Sequence, residues 1–222
     1  MTFYFIRHGE SGENTGSTRD NDSILTAQGA QQAEQTASWL ASDTENNPLP
    51  LMVYASPARR ALATAVAIAG RCEAPLVVDP ELCEYGMLYD APGLTGRELA
   101  SAHAGIRLPE GLSEDVGWAS AWMGETKPEL IARVHRVLER LLAAHPPGAG
   151  PVALVSHAHF TGFLLGRMFG IPEQLLSTNR LRLSNCGVSR VDVTPSYRQM
   201  HYANHTTHLS ARCHVSPVSD PE

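Results

Sequence analysis

The sequence predicts an α/β fold, and three observations carry the prediction. Short apolar, β-prone runs at residues 2–6, 51–55, 75–79 and 151–155 alternate with longer stretches of helical periodicity. Two of the runs, Phe3-Tyr4-Phe5-Ile6 and Val152-Ala153-Leu154-Val155, are apolar throughout, as buried strands read. Both stop abruptly at a polar turn that carries a histidine, Arg7-His8-Gly9-Glu10 after the first and Ser156-His157-Ala158-His159 after the last.

The totals narrow the class. A chain of 222 residues, 43% hydrophobic, is long enough to bury a substantial core in one domain. A net charge of −6 argues against non-specific nucleic-acid binding, so any cationic site must be a local pocket. No apolar run is long enough to cross a membrane. A first strand beginning at residue 2 leaves no room for a signal peptide. Cys72, Cys83, Cys186 and Cys213 form no Cys-x-x-Cys pair, which speaks against zinc and against a disulfide framework. They read as free thiols in a reducing compartment, and the expected location is cytoplasmic.

In chain order, residues 7–24 follow the first strand as a polar loop, a common place for ligand contacts, and Asn14 can return its amide toward His8. Thr26 is placed to cap a helix through about Leu40. After the second strand, Ser56-Pro57 reads as a helix cap followed by proline at the first helical position. Arg59 and Arg60 then fall in the first turn, where cations oppose the helix dipole unless an anion is bound there. Arg59 is taken as the residue facing that anion and Arg60 as a surface residue. Residues 85–125 are irregular, and an excursion of that length inside a domain is usually functional. Thr95 starts a short helix within it, and Trp118 and Trp122 fill a satellite core. Thr126-Lys127-Pro128-Glu129 is a capping box opening an amphipathic scaffold helix. The last strand of the central set leads into a helix over Phe160–Phe169, with His159 as a packing or surface residue. Residues 187–193 and 198–203 read as a strand pair and 210–222 as a polar tail. His201, His205 and His208 lack acidic or cysteine partners at ligand spacing, so no metal site is expected there.

Taken together, these stretches resemble the histidine phosphatase superfamily, in its phosphoglycerate-mutase-like branch. The resemblance rests on Arg7-His8-Gly9-Glu10-Ser11 with Asn14, Leu25-Thr26 with Gly29, and Ser56-Pro57-Ala58-Arg59-Arg60-Ala61 with Thr64-Ala65. Leu82-Cys83-Glu84, Val155-Ser156-His157 and a terminal Asn204 with His208-Leu209 complete it, in family order. It implies a three-layer α/β/α sandwich around a mixed, mostly parallel sheet, with residues 1–209 as one catalytic domain and 85–125 as its substrate-selecting cap. It implies that His8 is the nucleophile that becomes phosphorylated, that Arg7, Arg59 and His157 surround the phosphoryl group with Asn14 assisting, and that Glu84 is the proton donor. Glu81 and Asp90 stay as alternatives to Glu84, because the residues after Glu84 depart from the family pattern. Ala158 stands where the family commonly has glycine.

The chemistry asks for these residue types. Attack on phosphorus needs a neutral imidazole, charge on the equatorial oxygens needs pre-placed cations, and the leaving alkoxide needs a proton. No metal and no cofactor is called for. The expected activity is metal-independent phosphomonoester hydrolysis on a small phosphorylated metabolite, with neither nucleic acid nor membrane as partner and with room for a homodimer. A phosphoglycerate mutase is the alternative, although mutases of the family usually have tryptophan where this chain has Glu13. A non-catalytic phospho-ligand binding module is the third reading. Tyr85, Tyr89, Arg97, Arg107, Trp118 and Trp122 are candidate substrate contacts. Cys-x5-Arg, Gly-x4-Gly-Lys-Ser/Thr and Gly-x-Ser-x-Gly motifs are all absent from the sequence.

Overall fold

The computed structural model describes residues 1–42, 45, 47–102, 105–178 and 181–210, so the expected tail beyond Ser210 lies outside the described residues. Six strands form one sheet: β1 (Thr2–Arg7), β2 (Met52–Ala55), β3 (Leu76–Val78), β4 (Val152–Ser156), β5 (Val188–Val193) and β6 (Arg198–His205). Their order is β3-β2-β4-β1-β5-β6. The first four strands run parallel, whereas β5 is antiparallel to β1 and β6 antiparallel to β5.

The pleat of β1 explains the layers. Successive side chains point to opposite faces, so Tyr4 and Ile6 join one core and Phe3 and Phe5 the other. On the first face lie α1 (Ala27–Ser42) and α2 (Arg59–Cys72), with Ala37, Leu40, Ala61, Ala65 and Ile68 packed on the sheet. On the second lie α4 (Lys127–Ala144) and α5 (Ala158–Met168), contributing Leu130, Val134, Val137, Leu141, Phe160 and Leu164. The result is the three-layer α/β/α sandwich with a mixed, mostly parallel sheet.

Between β3 and α4, residues 85–125 hold two 3-10 turns and α3 (Gly96–Ala102), with Trp118 and Tyr89 edge to face at 5.0 Å in the core beneath. The capping box opening α4 is present, Glu129 accepting from both the backbone and the hydroxyl of Thr126 at 2.7 and 2.6 Å. Sequence patterning misses α6 (Glu173–Thr178), which is too short to show periodicity. It also places the starts of α2 two residues too early and of α5 two too late, and the first error matters below. Among the described residues, no helix is long and apolar enough to cross a membrane.

Candidate active site

The parallel strands β1, β4 and β2 end side by side at the middle of the sheet, where open α/β sheets place their ligands. Arg7 pairs with Ser156, and the His8 N–H donates to the Ser156 carbonyl at 3.0 Å. The Ser56 N–H donates to the Val155 carbonyl at 3.0 Å. His8, His157 and Ser56 are therefore the first residues beyond three adjacent strands, and register alone brings the two imidazoles to 5.0 Å between ring centroids.

The turn after β1 is pressed directly onto the first turn of α1. A Cβ on Gly9 would stand 2.5 Å from the Gly29 carbonyl oxygen, and one on Gly29 would stand 1.9 Å from the Glu10 carbonyl oxygen. Both positions must stay bare for the backbones to approach this closely. Thr26 ties the same junction, accepting from the Gly29 N–H at 3.0 Å and donating to Glu10 Oε1 at 2.7 Å. Glu10 is thereby spent on holding the turn. Below it, Asn185 donates to the His8 carbonyl at 3.1 Å and to Asn14 Oδ1 at 3.0 Å, while Asn14 Oδ1 also accepts from the Ser11 N–H at 3.2 Å.

The hydrogen bonds assign the tautomer of His8. Nδ1 lies 2.7 Å from the Gly9 carbonyl oxygen, which can only accept, so Nδ1 carries the proton. Nε2 then presents its lone pair, and the Nε–H of Arg60 points at it from 3.1 Å. Burial, then Arg60, His157 and Arg7, hold the His8 pKa well below its ordinary value against the opposing pull of the Gly9 carbonyl. His157 is likewise held neutral, by burial and then by Arg60. Its Nε2 lies 2.8 Å from the Ser56 hydroxyl, which also accepts from the Ala58 N–H at 3.3 Å. Among the described residues Nε2 is the acceptor within reach of the hydroxyl proton, which leaves Nδ1 as the N–H, a buried donor with no hydrogen-bond partner among the described residues. Arg7 is buried beside them, donating to the Leu183 carbonyl at 2.7 Å.

One assignment from the sequence is corrected. Arg60, only 3% exposed, is the arginine against His8. Arg59 turns outward, its side chain 45% exposed and 3.7 Å from Asp22. The physical reason is the helix start. Helix α2 begins at Arg59 rather than at Pro57, and its first free N–H, that of Arg59, is taken at 2.8 Å by Asp22 Oδ1. The anion expected at this helix start is thus a carboxylate of the protein itself, and the second residue of the helix is the one that reaches the pocket. Arg60 also donates to the Asn21 carbonyl and stands 3.5 Å from Glu13.

Glu84 is buried beside the N-terminus of α5 rather than directed at open space. Its two oxygens accept from the backbone N–H groups of Tyr85, His159 and Phe160 at 3.0, 3.0 and 2.9 Å. Burial alone would raise its pKa, but the hydrogen bonds from the His159 side chain and backbone N–H, with the electrostatic pull of that ring, outweigh it and hold the carboxyl far below its usual range. Glu81 faces away, toward Arg136 and Arg140 at 3.1 and 3.2 Å, and Asp90 is exposed. Of the candidate substrate contacts, Arg97 is engaged with Glu114 at 2.9 Å on the surface and Trp118 is buried in the core. Tyr89 is buried too, its hydroxyl accepting from the Glu84 N–H at 3.0 Å. Trp122 stacks 5.0 Å from the Arg133 guanidinium, Tyr85 packs against the second core, and Arg107 bonds through its backbone to Leu76 and Val78. His201 pairs with Asp192 at 2.8 Å, and His205 and His208 stack on Trp39.

The buried histidines make stability depend on pH. His8 and His157 have folded pKa values depressed below 6.5, so as pH falls the unfolded chain binds their protons first. Their contribution is complete above about pH 6.5 and is lost progressively below it. Glu84, depressed below 4.5, adds a further loss at lower pH. Asp22 acts in the opposite sense, because burial raises it to about 6 and the folded state protonates first. His145 is depressed as well and Asp79 raised as well; with three histidines against two carboxyls, the urea midpoint should fall as pH is lowered from about 7.5 to about 5.5, and the fall should shrink in His157→Asn.

Three comparisons with known proteins bear on the family and the fold. Residues 3–206 match the model of the histidine phosphatase superfamily, branch 1. The chain belongs to that superfamily. It is 33% identical over 208 residues, covering 88% of this chain and 86% of the relative, to a Yersinia pestis protein named "Probable phosphoglycerate mutase GpmB". Among solved structures, phosphoserine phosphatase from Entamoeba histolytica in complex with phosphoserine superposes with a TM-score of 0.65 at 20% identity, covering 94% of this chain and 99% of that one. YhfR of Bacillus stearothermophilus superposes with a TM-score of 0.67 at 20% identity over the same shares. These two share the fold.

Proposed function

We propose that the protein is a phosphomonoester hydrolase that works through a phosphohistidine on His8. The observation carrying this reading is the His8 tautomer: Nδ1–H is committed to the Gly9 carbonyl, and the Nε2 lone pair sits 3.1 Å from Arg60 Nε in a buried pocket. An incoming phosphoryl group meets Arg7, Arg60, the Nδ1–H of His157 and the amide of Asn14, which supply donors where charge accumulates. When the Arg60 N–H turns to a phosphoryl oxygen, the lone pair on Nε2 is released for in-line attack. The P–N bond forms as the ester P–O bond breaks, and Glu84 gives the departing oxygen its proton. Water then attacks phosphorus, loses a proton to Glu84, and regenerates His8. The groups named supply every charge and proton in this cycle, and the reading includes no metal.

In the same reading, residues 1–209 act as one catalytic domain, with 85–125 as the cap that selects a small phosphorylated metabolite. Free thiols at Cys72, Cys83 and Cys186 suit a cytoplasmic setting. The name of the Yersinia relative points to the mutase alternative, and Glu13 speaks against it. Its carboxylate, 3.5 Å from Arg60 Nη2 and 32% exposed, puts negative charge beside the pocket where a phosphoglycerate would bring its own carboxylate. Supplying 3-phosphoglycerate and p-nitrophenyl phosphate side by side separates the readings. Inorganic phosphate should appear from both, faster from the aryl ester, which carries no carboxylate. Isomerisation of phosphoglycerate without phosphate release would establish the mutase instead.

A further inference from the structure

The reaction just proposed needs a proton on Glu84, and the site is built to keep it off. Three backbone N–H groups converge on the carboxylate, and each favours the anion. A fourth neighbour differs from them, because it can part with a proton. His159 Nδ1 lies 3.4 Å from Glu84 Oε2, and its ring is 32% exposed where the carboxylate is 8% exposed. We propose that His159 is the proton reservoir of Glu84: the pair holds one proton between them, stored on His159 in the resting enzyme and passed through Glu84 to the leaving alkoxide.

The remaining groups around the pair do not fit that role. His157, from the end of β4, is buried and committed to Ser56, and His8, from β1, is the proposed nucleophile. Arg60 on α2 and Arg133 on α4 are permanent cations, with Arg133 donating to the Glu84 carbonyl at 3.1 Å. Glu125, before α4, is paired with Arg133 at 2.8 Å. Burial pushes the Cys83 thiol and the Tyr89 hydroxyl up, so both keep their protons. Among the described groups facing Glu84, His159 alone combines solvent access with a side chain that can both take up and give up a proton.

The step balances without another reactant. As the P–O bond breaks, the His159 Nδ1 proton moves to Glu84 Oε2 and on to the leaving oxygen, so that the half-reaction ends with Glu84 a carboxylate and His159 a neutral imidazole. In the second half, water gives its proton to Oε2 and thence to Nδ1, while its oxygen bonds to phosphorus and the P–N bond breaks. His159 is a positioning residue in this scheme, acting through Glu84.

This inference rests on the phosphohistidine reading, so its test includes a check on that reading. Measure kcat/KM for p-nitrophenyl phosphate, whose leaving group needs no proton, and for an alkyl phosphate, whose leaving group does, in wild type, His159→Ala and His159→Asn. The alkyl ester should lose on the order of 100-fold in both variants and the aryl ester less than about fivefold. The alkaline limb of the alkyl pH profile should shift with the substitution. Asparagine keeps a donor toward Glu84 and cannot relay a proton, so a wild-type profile in His159→Asn overturns the proposal. Equal losses on both esters overturn it as well. Acid-labile labelling of His8 by the aryl ester in His159→Ala would show the nucleophile intact, whereas no labelling even in wild type would overturn the underlying reading too.

Discussion

Arg60→Ala should lower kcat/KM for an aryl phosphate by on the order of 100- to 1,000-fold, while Arg59→Ala should leave it within about twofold. The two arginines are adjacent in sequence and opposite in environment. Arg60 is 3% exposed with its Nε–H on the nucleophilic nitrogen, so its loss removes the nearest fixed cation from the transition state and one of the charges keeping His8 neutral. Arg59 reaches into solvent, and its pairing with Asp22 is of the exposed kind worth less than about 1 kcal/mol. Arg60→Lys should recover only part of the loss, because an ammonium cannot keep the planar fork that spans His8, Asn21 and Glu13. Equal effects at the two positions, read in steady-state assays with circular dichroism confirming folding, would contradict the geometry.

Arg133→Met should cost about 3–5 kcal/mol of stability. Arg133 is fully buried, and its guanidinium makes five hydrogen bonds: two to Glu125 and one each to the carbonyls of Glu81, Cys83 and Glu84, at 2.7–3.1 Å. Its guanidinium carbon lies over the rings of Trp122 and Phe160, 5.0 and 4.8 Å from their centroids. One side chain thus joins the segment carrying Glu84, the end of the 85–125 excursion, α4 and α5. Removing it strands three carbonyls and a buried carboxylate. For a domain of this size the melting temperature should drop by on the order of 10 °C. Glu125→Leu should be destabilising for the complementary reason, leaving the Arg133 guanidinium buried without its carboxylate. The double variant Arg133→Met with Glu125→Leu should lose less than the sum of the two single losses, since each single leaves an uncompensated charge that the double does not. Additive losses would mean that the pair is not coupled.

The contrast between these two arginines shows which parts of the molecule are legible in sequence. His8 and His157 stand out because each ends an apolar run, and strand ends are set by local pattern. The helix start at Thr95 and the capping box at Thr126 are equally local. Arg60 reads as a surface residue in sequence because the choice between adjacent arginines at a helix start depends on Asp22, thirty-seven residues before that start. Asn185 and Arg133 carry no local signal at all: an asparagine in a turn and an arginine on an amphipathic helix are ordinary until tertiary contacts bury them. His159 is a similar case. Its place beside the start of α5 is readable, but the folding of Glu84 onto that helix N-terminus is a contact across seventy-five residues. Gly29 lies between the two extremes, visible as a glycine in a helix and explained only by the Glu10 carbonyl against it.

The most direct test of the account is where the phosphoryl group goes. The protein should be mixed with an aryl phosphate, quenched in alkali, which preserves phosphohistidine, and digested for mass spectrometry. One phosphoryl group should appear on the peptide containing His8, be lost on acidification, and be absent from His8→Ala, which should also have lost turnover. Turnover that persists in His8→Ala, or a phosphoryl group found on His157 or His159 instead, would contradict the account.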